Sequence, residues 1–355
     1  MKKLALLSLA FMSLAACSGD DNSKIDPIVP APSSGTVFGS TEHPLNVGGA
    51  NQGNQVYVDL SGEVAATTPR DSWELGFYSG AEGRIVINGS VGMAVKKLAT
   101  TDITAVQVAD ASVAVGTFQA ENMEYVDYPT GDINGTAFGA IATSEASANV
   151  YLVNLGNSVP TEKPAAGSAN VAGAPRGWKK VKIWQDGSGY KLQYANLDAT
   201  TAPTAVITKD PAYNHVFFSL VNGIEVKAEP QKDKWDLNFT TFTNEVFQGG
   251  ESAGAYFYSD FIVTNTKAGV TAFKVDGDAT AYAAFTLADV AGKQYSTDQR
   301  AIGPDWRDVF TRAVFNNVFF VVKDAEDNIY KVKFISMVNS QGERGFPVFE
   351  YELLK

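Results

Sequence analysis

The chain has 355 residues, 45% hydrophobic and 19% charged, which is a globular composition and not a disordered one. Lys and Arg number 28 against 39 Asp and Glu, so a net charge of −11 argues against a phosphate-binding surface for nucleic acid. Two His and one Cys leave too few ligands for Cys/His zinc sites or a disulfide framework.

Residues 1–16 read as a signal segment: Lys2 and Lys3 form a basic start and Leu4 to Leu14 an apolar run. That run is shorter than the roughly 20 apolar residues a membrane-spanning helix needs. It ends Leu14-Ala15-Ala16-Cys17, which resembles the lipobox of bacterial lipoproteins, and Cys17 is the chain's single Cys. The expectation is an acylated Cys17 that anchors the protein to a membrane by lipid. Residues 17–45 follow as a tether, rich in Ser, Asp and Pro through Asp26-Pro27 and Pro30-Ala31-Pro32. The Asp20-Asp21 pair behind the Cys is similar to a surface-export signal of some Gram-negative lipoproteins, and a merely polar linker is the alternative.

The rest reads as two similar halves. Trp73-Glu74-Leu75-Gly76-Phe77 recurs as Trp235-Asp236-Leu237-Asn238-Phe239. A Glu-Val pair stands before each, Glu63-Val64 and Glu225-Val226, and so does a base with Asp, Arg70-Asp71 and Lys232-Asp233. Upstream lie aromatic, strand-like runs ending in Gly, Val56 to Gly62 and Phe217 to Gly223. Each half closes on a hairpin pattern with an acidic turn, around Asp186-Gly187 and around Asp324 to Asn328. Asp210-Pro211 interrupts the chain between them, which places the expected halves at 46–210 and 211–355. Helical signal is confined to short caps at Thr101 to Thr104 and Thr286 to Val290. The expected fold is all-β, mainly antiparallel, in two tandem domains.

The tryptophan motif, the terminal hairpin (Val318 to Asp324, then Tyr330-Lys331-Val332) and the lipobox together resemble the HmuY family of haem-binding bacterial surface lipoproteins. Here the family's unit would occur twice. The resemblance implies a mostly-β fold that holds one haem between finger-like hairpins, through axial His or Met. It also implies an outer-membrane lipoprotein at the surface of a Gram-negative bacterium, delivering haem to a TonB-dependent receptor. The fragment Asn122-Met123-Glu124-Tyr125 resembles the family's stretch around its first ligand, so Met123, and after it Tyr125, are the candidate haem-binding residues. No His stands beside them, and residues 155–177, where a partner ligand is expected, hold no His, Met or Tyr.

His43 and His215 occupy non-equivalent places in the two halves, and His215 is the candidate metal ligand of the second. Arg176, Lys163 and the Lys179-Lys180 pair are candidate partners for propionates or acidic sugars, and the segment Trp306 to Arg312 interleaves aromatic rings with arginine. Neither His lies near a nucleophile-elbow pattern, and no phosphate-binding or dinucleotide fingerprint is present. The sequence therefore reads as a non-enzymatic binding protein: for haem or a related tetrapyrrole, or alternatively for a glycan or a protein on the same fold.

Overall fold

In a computed structural model the described residues are 35–116 and 119–355. The signal segment, Cys17 and most of the tether lie outside the described residues. The first half carries β1 (Thr36–Phe38), β2 (Asn54–Asp59), β3 (Val64–Pro69), β4 (Leu75–Tyr78), β5 (Ile85–Ile87), β6 (Ala94–Lys97), β7 (Val150–Asn154), β8 (Trp178–Asp186) and β9 (Gly189–Asn196). β10 (Thr204–Ile207) ends the first half, and the second carries β11 (His215–Ser219), β12 (Ile224–Val226), β13 (Leu237–Gln248), β14 (Glu251–Thr264) and β15 (Thr271–Asp276). A six-residue helix α1 (Ala279–Ala284) follows, then a short ribbon of β16 (Arg307–Asp308) and β17 (Ala313–Val314). The chain closes on β18 (Val318–Lys323), β19 (Ile329–Val338) and β20 (Arg344–Leu353). Every pairing between named strands is antiparallel.

The sheets do not follow the sequence repeats. Each half sends its first hairpin into the other half's sheet. Hairpin β2–β3 continues the β13–β14 sheet through β2 against β13, and hairpin β11–β12 continues the β4–β5 sheet through β11 against β4. The registers are equivalent: Val58 opposes Leu237 in one sheet, and Phe218 opposes Leu75 in the other. The strands just before the hairpins pair alike, β1 with the last strand of the chain, β20, and β10 with β9. Residues 36–38, within the stretch read as tether, are thereby a strand, because the edge of β20 offers unpaired backbone groups.

The two cores follow the exchange. One joins Phe38, Val56, Val58 and Leu60 to Leu237, Phe239, Ile262, Phe320 and Phe349. The other joins Leu75, Phe77, Ile87 and Ile183 to Phe218 and Leu220. Burial of each such side chain stabilises by about 1.5–3 kcal/mol. Losing Val56, Val58 and Leu60 together would remove a large share of the ~5–15 kcal/mol that holds a domain folded.

The crossings are fixed by the residues around each tryptophan. Asp236 N donates to Val58 O at 2.7 Å and Glu74 N to Phe218 O at 3.0 Å, so each acidic residue extends the exchanged ladder by one bond. Their side-chain oxygens then catch the turn of the incoming hairpin: Leu60 N donates to Asp236 Oδ2 at 2.8 Å, and Val221 N to Glu74 Oε2 at 3.3 Å. Asn88 and Asn265 hold the crossing segments from below. Asn88 Nδ2 donates to the carbonyls of Arg70 and Trp73, and Asn265 Nδ2 to those of Lys232 and Trp235. In the hairpin turns Glu63 adopts φ +52°, at the position where the other turn has Gly223 at φ +70°.

The two caps read in the sequence are short 3-10 turns. Asp102 caps Ile103–Ala105, and Thr286 with Asp289 forms a capping box on Leu287–Val290. A turn or less of periodicity lacks the cooperative length an α-helix needs.

The exchange predicts that a fragment of residues 72–230, which contains β4 through β12, melts cooperatively by circular dichroism, whereas residues 46–210 do not. The second fragment lacks β11 and leaves β2–β3 unpaired. The crossings also carry a pH dependence. Glu74 is matched by Arg176, but Asp236 is buried near Asp324 and Asp59, and desolvation followed by those charges pushes its carboxyl up to about 8. Native Asp236 thus keeps a proton that the unfolded chain releases near ~3.9. Stability is full below that value and falls as pH rises toward 8. Melting temperature measured from pH 5 to 9 should decline by several degrees, and Asp236→Asn should flatten most of the decline.

Candidate functional site

Crossing the hairpins brings Trp73 and Trp235 to one junction between the two cores. A cavity of about 180 Å³ lies there, and its lining comes from both halves: Tyr57 and Trp73 from the first, His215, Phe217 and Trp235 from the second. Each tryptophan packs edge-on against an aromatic ring of the other half's hairpin. Trp73 meets Phe217 at 4.5 Å between centroids, and Trp235 meets Tyr57 at 5.1 Å.

This pseudo-symmetry is broken in its polar atoms. Trp73 Nε1 donates to Gln55 Oε1 at 2.9 Å. The position equivalent to Gln55, five residues before the turn leucine of the second hairpin, is His215. Here the pair is open: Trp235 Nε1 and His215 Nε2 are both buried and both without a hydrogen-bond partner. Asn238 Oδ1, on the same lining, is a third buried atom without a partner. An unsatisfied buried polar atom costs about 1–3 kcal/mol. All three belong to residues on the lining of one cavity, where a polar occupant could satisfy them.

The rest of His215 is held. Its backbone N donates to Glu229 Oε1 at 3.0 Å, and its Nδ1 lies 3.8 Å from the same oxygen. The ring stands between Tyr78 and Phe217 at 5.8 and 5.7 Å. Glu229 lies on the Nδ1 side, which leaves Nε2 as the ring nitrogen without a partner.

A strap of residues 126–136 forms another wall. It belongs to the first half but is tied to the second: Gln299 donates to the carbonyls of Pro129 and Thr130, and Lys267 Nζ to that of Gly131. Its pivot is Asp127, whose two carboxylate oxygens accept from Ile87 N and Ala137 N, each at 2.8 Å. Burial pushes the Asp127 carboxyl up to about 7 against the pull of those two amides and of Lys267.

Of the candidate ligands singled out in the sequence, His215 alone lines this cavity. Met123 and Tyr125 lie on a 3-10 turn, Ala120–Tyr125, on the far side of β6. That turn packs against the long hairpin β13–β14: Gln119 N donates to Ala253 O, and Gln119 bridges to Gly254. Met123 is half-buried there. The Tyr125 ring is buried with Val113 and Leu152, and Lys96 Nζ stands 5.8 Å from its centroid. A hydrogen bond with Glu124, then desolvation, holds its phenol above the usual range and so disfavours a phenolate. Arg176 is engaged by Glu74 and Lys163 by Glu343. His43 Nδ1 lies 3.1 Å from Glu63 O, with the ring against Phe38. Trp306 is buried, its indole N–H on Asp260 O, while Phe310 is exposed.

Sequence reasoning missed the gathering of Gln55, Trp235, Asn238 and Met93 around one space. The repeat alignment carried a usable signal, because a His stands where the first half has Gln. Among the described residues no group of three or more His, Cys, Asp and Glu gathers as a metal site. His215 and Met93 share the cavity and are both donor types that haem iron accepts, but the space is below the ~300–1,000 Å³ typical of ligand pockets. It suits one ring and not an enclosed macrocycle.

The family model described as HmuY protein matches residues 51–208 and again 212–351. Neither a curated protein nor a solved structure matches the chain.

The broken symmetry predicts unequal substitutions. Trp73→Phe strips Gln55 of its buried partner and should destabilise by about 1–3 kcal/mol in urea unfolding. Trp235→Phe removes an N–H that bonds nothing and should cost clearly less.

Proposed function

The chain belongs to the HmuY family of haem-binding surface proteins, and from that premise we propose that it is a lipid-anchored outer-membrane protein that captures haem or a related tetrapyrrole at the cell surface. The observation that carries this reading is the family match over both halves. In it, Cys17 holds the lipid, and a TonB-dependent outer-membrane receptor takes the cargo.

The turn 120–125, which packs on hairpin β13–β14, is where the family resemblance places the haem, and it carries a half-buried thioether. Met123 is then the iron donor, and Tyr125 is the packed residue that fixes the turn. His215 is the second candidate donor, with Nε2 open but in a space suited to one ring. The protein's own groups would supply an axial ligand and apolar contact, with no reaction on the cargo.

Haemin titrated into residues 18–355 should saturate at one or two equivalents and give sharp difference spectra in both iron oxidation states. Met123→Ala should weaken binding at least tenfold, and His215→Gln should leave it unchanged. A broad, non-saturating change would sink the haem reading. Loss of binding in His215→Gln alone would move the haem to the junction. A second reading, the same fold serving an uncharged ligand such as a glycan, is favoured by the three unpartnered atoms at the junction cavity.

A further inference from the structure

We infer that the junction cavity is a binding site for a single uncharged sugar ring, the end unit of a glycan; this rests on the second reading above and is independent of haem capture. The cavity exists only because the hairpins cross. Its walls combine Trp235 and Tyr57 from one side of the exchange with Phe217 and His215 from the other.

The three open atoms define the chemistry. Trp235 Nε1 can only donate, Asn238 Oδ1 can only accept, and His215 Nε2 can do either according to its tautomer. A hydroxyl both accepts and donates, so two or three neighbouring hydroxyls on one ring satisfy all three atoms. A carboxylate or phosphate could accept from Trp235 but would face Asn238 Oδ1, Glu229 and Asp127. A cation could not accept from the indole. Lys267, the one lysine or arginine on the lining among the described residues, already donates to Gly131 O.

Size and walls agree with this. A cavity of about 150 Å³ admits benzene, so the 180 Å³ here holds one ring with its substituents. The aromatic walls offer apolar surface to the C–H face of a pyranose. Tyr128 lines the cavity and is half-exposed, which places the mouth at the surface, where the rest of a glycan can extend.

The first half contains the closed form of the same pair. Gln55 accepts from Trp73 at 2.9 Å, so in His215→Gln the introduced amide carbonyl should close on Trp235 and shut the site without harming the fold. The test is an intrinsic-fluorescence titration of residues 18–355 with glucose, galactose, mannose, fucose and N-acetylglucosamine, with uracil and nicotinamide as planar amide probes. The wild type should saturate with at least one sugar at millimolar concentration. His215→Gln and Trp235→Phe should each weaken that binding at least tenfold, Met123→Ala should not, and His215→Gln should melt at or above the wild-type temperature. No saturation by any sugar would mean that the open atoms hold water only and would overturn the proposal. Binding of the planar amides without the sugars would overturn it too, as would sugar binding that survives both junction variants. Haemin titrated into the same variants fails or succeeds on its own terms, so the two readings fall separately.

Discussion

Two buried acidic side chains hold this structure together by catching hairpins that belong to the opposite half of the chain. Glu74 and Asp236 follow the repeated tryptophans, and each uses its backbone N–H to lengthen an exchanged ladder and its side chain to bind the incoming turn. A buried carboxylate needs such donors. The exchanged hairpins bring Leu60 N to Asp236 and Ser219 Oγ and Val221 N to Glu74, which also takes Arg176 from its own half. The cores then form across the repeat, with Val58 and Leu60 among residues of 237–353 and Phe218 and Leu220 among residues of 75–207.

A duplicated unit with exchanged hairpins has a property that a single unit lacks: a junction whose two sides begin alike and are free to diverge. Here one side is closed by Gln55 and Trp73, while the other leaves His215 and Trp235 open. The electrostatic treatment has diverged in the same way. Glu74 has gained Arg176 from the loop before β8, whereas Asp236 sits among acids.

The turn at Met123 and the junction at His215 are separate places. The first is a short turn packed against a long hairpin, with Met123 half-buried. The second is a ring-sized cavity with its mouth at the surface, lined by aromatic rings and polar side chains. Membership of a haem-binding family bears on the first, whereas the unpartnered atoms speak only for the second.

Much of the fold was legible in the residues. Alternating apolar runs, the repeated Trp-acid-Leu-x-Phe motif and the acidic turns place the strands and hairpins, because period-two burial and turn chemistry are local. The family likeness was legible for the same reason, as it rests on those motifs. What the sequence could not specify was the partner of each hairpin. Val58 opposite Leu237 and Phe218 opposite Leu75 satisfy the same hydrophobic pattern as pairing within each half would, so local pattern is silent between them. The candidate site inherited that silence. His215 could be singled out by its type, but its open Nε2, its nearness to Glu229 and the gathering of Trp235 and Asn238 exist only once the chain has crossed. The sequence by itself determined a β-rich duplicated chain with matched tryptophan strands, and tertiary structure decided which half completes which sheet, since that choice is made by long-range burial.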